Sequence, residues 1–161
     1  VRKRCQPAGR GVRRASLMRF FFYGTLLDRD VTALVLGRRL PPRAFAPAIL
    51  LGHARRRAKG ASYPVVVPDP RGEVAGAVVG GLSSRDVACL SAYEGPGYRI
   101  VPLRVRSQGT LVTVSVFEPL VSRLQPSGDL WELALWQRRH KRAFVERLRR
   151  AFSARPAYSR R

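Results

Sequence analysis

The chain has 161 residues, 45% of them hydrophobic, which fits one domain with a real core and excludes wholesale disorder. No apolar run approaches the ~18 residues of a membrane-spanning helix, so no membrane partner is expected. The formal charge of +21 suggests a nucleic-acid binder, but its placement argues against a specific one. Residues 1–17 hold six basic residues and no acid, and residues 138–161 hold ten basic residues and one acid. Between them stand 15 basic and nine acidic residues, a net +6. Arginine supplies 28 of the 31 basic residues, a bias that coding composition produces as readily as function. No zinc-finger spacing and no aromatic-interleaved basic strand accompanies the charge. The two cysteines, Cys5 and Cys89, make neither a disulfide framework nor a metal site. They give no sign of an oxidising compartment, and a cytoplasmic location is expected. The oligomeric state is left open.

Residues 1–17 lack the apolar stretch of a secretory signal and read as a basic, disordered tail, with Met18 opening the domain. Phe20–Tyr23 is a short aromatic strand stopped by Gly24. Val31, Leu34 and Val35 then mark a short helix from Asp28 to Leu36, ended by Gly37. An extended segment, 44–58, turns very basic at Arg55-Arg56-Arg57. Val65–Val67 reads as a short strand, Asp69-Pro70-Arg71-Gly72 as a turn, and Glu73–Leu82 as a second, glycine-rich strand. Gly72, Gly76 and Gly80 share one face of it, as bulges or a tightly curved barrel wall require. Ser83 or Ser84 caps a helix through Ala92, with Val87, Leu90 and Cys89 inward. Gly95-Pro96-Gly97 leads into a strand, and Ser107-Gln108-Gly109 turns it into the strand 110–118. The last element is expected as one long helix from Asp129 to Phe152. Asp129 and Glu132 would form its capping box. Leu133, Trp136, His140, Phe144 and Leu148 would form its apolar stripe, with His140 a packed neighbour. The expected division is a tail (1–17), one domain (18–152) and a basic tail (153–161). The fold class is α+β: a small mixed β-barrel or curved sheet with flanking helices.

Only ten residues are acidic, so each can be weighed. Asp28, Asp30, Asp86, Asp129 and Glu132 suit helix starts, Asp69 a turn, and Glu118 a strand end. Glu94 differs. It sits at a helix C-terminus, where the dipole disfavours a carboxylate, between Tyr93 and Tyr98. An acid in a desolvated aromatic corner has a raised pKa and can act as a base. The plain alternative is a surface glutamate.

"FFYGTLLD" resembles the Tyr-Gly-Ser/Thr-Leu signature of the γ-glutamylcyclotransferase-like superfamily, in its AIG2-like branch. "LSAYEGPGYRIVPLRV" resembles that family's second signature, a glutamate between a helix and a Tyr-Arg-containing strand. The resemblance covers roughly residues 18–150, and the two motifs in this order are specific for the fold. It implies a small barrel with a pocket at one mouth and a small-molecule γ-glutamyl substrate. That substrate is converted to 5-oxoproline with release of its amine, without metal or redox cofactor. By matching position, Glu94 becomes the general acid/base. The loop Tyr23-Gly24-Thr25-Leu26 becomes the holder of the substrate through its backbone N–H groups, with Gly24 allowing close approach. Tyr98 is expected to line the pocket, with Tyr63 on the opposite wall; for both, plain core packing is the alternative. Arg99 is a candidate for a substrate carboxylate. Pro96-Gly97 stands where members of the family often have an acidic pair. Two other readings stay open: a non-catalytic small-molecule-binding module on the same fold, or a basic nucleic-acid-associated protein.

Overall fold

The computed structural model describes residues 17–120 and 122–153. The expectations for residues 1–16, Cys5 among them, and for residues 154–161 lie outside the described residues. Six strands and four helices follow the chain as β1 (Met18–Phe22), α1 (Arg29–Leu36), β2 (Phe45–Ala58), β3 (Pro64–Leu82), α2 (Ser84–Glu94), β4 (Tyr98–Ser107), β5 (Thr110–Pro119), β6 (Pro126–Leu130), α3 (Leu133–Arg139) and α4 (Lys141–Ser153). The sheet runs β3-β1-β5-β4-β2-β6, and a further β2–β3 pairing closes the first five of these into a barrel, with β6 appended to β2. β4 pairs with the first half of β2, and β6 pairs with the same strand near its end. Only β1 and β5 are parallel, so the sheet is mixed and the fold is α+β, as the sequence predicts.

The period of two along β1 divides the core. Phe21 and Tyr23 point into the barrel, where Leu50, Val74, Val105 and Val116 meet them. Phe20 and Phe22 point outward, into a second cluster with Val31, Leu90, Trp131 and Trp136 from the helical side. All four aromatic residues of the run are at most 7% exposed.

Local signals explain most element ends. Asp28 caps α1 by accepting from the N–H groups of Asp30 and Val31, and Gly37 closes it at φ 69°. Ser83 and Asp86 form a reciprocal capping box on α2, and Arg38 ties Asp86 to the end of α1. Gln108 and Gly109, both at positive φ, turn β4 into β5.

Two expectations need correction. The segment Asp69–Gly72 does not divide two strands, because β3 runs through it. His53 pairs with Pro68 while Leu51 pairs with Glu73, so the extra residues form a bulge that β2 spans with Gly52. Turn chemistry is present, but pairing on both sides overrides it. At Gly72 a Cβ would stand 2.1 Å from the His53 carbonyl oxygen, so the bulge admits only glycine there. Nor is 129–152 a single helix. Asp129 lies in β6, ion-paired to Arg57, and the predicted capping box is absent: Glu132 precedes α3 without a side-chain cap. The edge of β2 offers hydrogen bonds that claim 126–130 as a strand. The helix then breaks at His140 (φ −125°, ψ −24°), whose ring is exposed rather than packed.

Candidate functional site

Topology gathers the candidate residues at one end of the barrel. Parallel pairing puts the ends of β1 and β5 together, and antiparallel pairing puts the start of β4 beside them. Tyr98 is thereby in register with Pro119, and the end of α2 sits just before it. β3 begins at this same end, since it runs antiparallel to β1. A pocket of about 320 Å³ opens there, within the lower range for small-molecule sites. Seven of the residues singled out in the sequence line it: Tyr23, Gly24, Thr25, Leu26, Tyr63, Glu94 and Tyr98. Phe117, Leu124 and Phe144 add apolar walls.

After β1 the chain turns through a single 3-10 turn, Thr25–Leu27. The N–H of Leu27 bonds back to Gly24 O at 2.9 Å. The amides of Thr25 and Leu26, as the first of the turn, have no intrahelical acceptor, and none of the turn or loop hydrogen bonds takes them. The side chains are fixed from behind. Tyr23 Oη donates to Phe117 O at 2.6 Å, and Thr25 Oγ1 shares a 2.7 Å hydrogen bond with Tyr93 Oη. Gly24 has an ordinary negative φ. Its requirement is steric: a Cβ would lie 2.9 Å from Pro64 Cγ, so glycine lets β3's first residue pack on the loop. Gly97 plays the same part against Leu124.

Glu94 is the last residue of α2, followed by Gly95 at φ 75°. Its side chain is half-buried, and no hydrogen bond or ion pair from the described residues reaches the carboxylate. Desolvation alone pushes its pKa up to about 8. Burial, followed by the nearby Glu94 carboxylate, raises Tyr98 far above an ordinary phenol, so its hydroxyl stays protonated. Tyr93 is raised too, mainly by burial. The result is a carboxyl group poised near neutrality among neutral hydroxyls, beside a loop whose Thr25 and Leu26 amides find no acceptor among the turn and loop hydrogen bonds of the described residues.

Arg55 was not singled out in the sequence, where it is one of three consecutive arginines. Its guanidinium donates to Tyr23 O at 2.9 Å, Ala75 O at 2.9 Å and Trp131 O at 3.1 Å, and stacks 5.2 Å from the Trp131 ring. It therefore pins the root of the pocket loop to β3 and to the segment after β6. The alternation of a strand would have marked Arg55 and Arg57 as sharing a face, but not which carbonyls the face meets. Arg99, by contrast, lies outside the pocket; it is exposed and forked onto Glu118 across the β4–β5 pair. Among the described residues, no group of three His, Cys, Asp or Glu side chains stands close enough to hold a metal ion, and no helix is long and apolar enough to cross a membrane.

Residues 20–138 match the pattern of the family described as gamma-glutamyl cyclotransferase, AIG2-like. The chain belongs to this family. AIG2-like protein A of Arabidopsis thaliana is 33% identical over 129 residues, spanning 78% of this chain and 76% of the relative. AIG2-like protein B of the same plant is 30% identical over 133 residues, 81% of this chain and 75% of the relative. An Arabidopsis thaliana protein solved in solution superposes with a TM-score of 0.62 at 28% identity, covering 84% of this chain and 82% of that one. A solved gamma-glutamyl cyclotransferase shares the fold at 16% identity, TM-score 0.58, covering 83% and 86%. For an AIG2-like cyclotransferase family member, the pocket just described is the natural place to look for chemistry.

Proposed function

We propose that the protein is a cytoplasmic γ-glutamylcyclotransferase with Glu94 as general acid/base. The observation that carries this reading is the unpartnered Glu94 carboxyl in the same pocket as the Tyr23–Leu26 loop, in a chain of this family. The substrate is a γ-glutamyl amine or γ-glutamyl amino acid. Its α-amine attacks its own γ-carbonyl carbon, so a bent conformation held by the pocket supplies much of the rate. Glu94, ionised, takes a proton from the α-ammonium. A bond then forms between the α-nitrogen and the γ-carbon, and the bond from that carbon to the amine breaks as Glu94 returns the proton to the departing nitrogen; the ring nitrogen gives up its second proton by way of the same carboxylate, and the amine leaves as the ammonium. The products are 5-oxoproline and the free amine. The Thr25 and Leu26 amides receive the negative charge on the γ-oxygen or the substrate carboxylate. Gly24 shapes this loop against Pro64, Tyr23 and Tyr98 wall the pocket, and Tyr63 closes it opposite. A carboxyl held near neutrality suits both halves of the proton transfer.

The test is release of 5-oxoproline from γ-glutamyl amino acids, ε-(γ-glutamyl)-lysine and glutathione, comparing wild type with Glu94→Gln. Release that disappears with the carboxylate supports the assignment. Release that survives the substitution rejects Glu94; absence of release from every compound leaves an untested amine or a binding module, which ligand-induced stabilisation with the same panel separates.

A further inference from the structure

Beside the candidate pocket lies a larger groove of about 1060 Å³, which the γ-glutamyl group itself does not need. The pocket and the groove share Tyr63, Tyr93 and Phe144, so a ligand seated in one can run past these rings into the other. The groove has a distinct chemistry. The half-buried Tyr63, Tyr93, Phe144, Leu135 and Leu148 give it an aromatic and aliphatic wall, with Trp131 and Trp136 buried behind it. Its charged groups are Arg57, Arg139, Arg147, Asp129 and Glu132, and His140 also lines it. Asp129 is engaged by Arg57, and Glu132 acts electrostatically on Arg55. Arg139, at the end of α3, and Arg147, on α4, have no ion pair or hydrogen bond through their guanidinium groups among the described residues. An apolar wall with two uncommitted cations at its rim suits a ligand with an apolar body and an anionic end.

Resting on the cyclotransferase reading above, we infer that this groove receives the leaving half of the substrate, an amine that carries an aromatic or bulky apolar side chain and a free carboxylate. The γ-glutamyl half occupies the inner pocket and the scissile bond lies at the junction of the two. The released amine keeps its carboxylate between Arg139 and Arg147. A small leaving group would fill the inner pocket alone and leave the aromatic wall wet.

Calorimetric binding to the Glu94→Gln protein tests this without turnover, using γ-glutamylphenylalanine, its phenethylamide analogue that lacks the carboxylate, and γ-glutamylmethylamide. The phenylalanine compound should bind roughly tenfold more tightly than the methylamide and about fivefold more tightly than the phenethylamide. Adding Arg139→Gln and Arg147→Gln should bring the ratio of phenylalanine to phenethylamide close to one. Equal binding of all three compounds, a ratio that the double substitution leaves intact, or no binding of any would overturn the inference. Wild-type 5-oxoproline release separates the two ideas. The predicted ranking without turnover sinks the cyclotransferase and keeps the groove as a binding subsite; turnover without the ranking sinks the subsite alone.

Discussion

Among the carboxylates at helix ends, Asp28 and Glu94 meet opposite fates. Asp28, at the start of α1, is 2% exposed and fully provided for. It accepts from two backbone amides, from Gln137 Nε2 at 2.8 Å and, as an ion pair, from Lys141 Nζ at 2.8 Å. Burial alone would raise its pKa, but the hydrogen bonds from Lys141 and Gln137 prevail and hold it below the ordinary value. Glu94, at the end of α2, has none of these partners, and burial acts on it unopposed. The difference teaches what makes a carboxyl structural or reactive. Desolvation is common to both, and the supply of donors decides. A saturated carboxylate docks α4 onto α1; a bare one remains free to exchange a proton.

The sharpest way to break this comparison is to neutralise the bare group. Glu94→Gln should lower 5-oxoproline release by at least ~100-fold, the range of general acid–base contributions. The thermal midpoint should not fall. Next in size is the loop that faces Glu94. Arg55→Met leaves the carbonyls of Tyr23, Ala75 and Trp131 without their shared donor and lets the loop shift. A fall of about tenfold to a hundredfold in kcat/KM, mostly in kcat, is expected. Arg55→Lys, which restores a single donor but not the fork, should recover only part. Steady-state kinetics on both variants decides whether loop position matters.

On the saturated side, Lys141→Met removes the charge that faces Asp28 and should cost about 2 kcal/mol of stability in denaturant unfolding at pH 7. Asp28 has a depressed folded pKa. Its contribution is present above the unfolded pKa and vanishes as pH falls through the folded one, so wild type and variant should converge in acid. A gap that persists undiminished there would mean that Lys141 acts through packing. The converse holds for Glu94. Its pKa rises from 4.5 to about 8 on folding, so the native state holds a proton that the unfolded chain gives up. Native stability therefore declines as pH climbs across that interval, and Glu94→Gln should be spared the decline. Thermal midpoints of the two proteins measured from pH 4 to 9 should diverge upward; parallel curves would show that Glu94 is solvated.

The fold class and the lining of the pocket were more legible in the sequence than the bounds of several strands and helices, and the reason is locality. Phe20–Tyr23, the stop at Gly24, the Ser83 cap and the isolated acid at Glu94 are written within a few residues each. What failed depended on partners distant in the chain. Asp69–Gly72 carries every turn residue, yet β2 pairs on both sides and turns the excess into a bulge. Residues 126–130 carry no strand pattern and are drawn into the sheet by an available edge of β2. The apolar stripe from Leu133 to Leu148 continues through His140, so nothing in the residues announces the break there. Arg55 looked like one charge in a basic run, and only the tertiary arrangement reveals three carbonyls awaiting it.

One feature of the sheet reaches beyond the site. β1 precedes the other described strands, yet it lies between β3 and β5, and Ser115, the parallel partner of Phe20, is synthesised far later. During synthesis Phe20, Phe21 and Phe22 emerge as an apolar strand before either neighbour, and the β2–β3 hairpin can offer β1 one partner while β5 is still to come. Closure must wait for β5, a contact of large sequence separation and therefore slow to form. The loop that ends β1 takes its final shape only when Tyr23 finds Phe117, so the pocket becomes competent at the close of folding, and a nascent chain halted before β5 would present a sticky aromatic segment to whatever chaperones attend it.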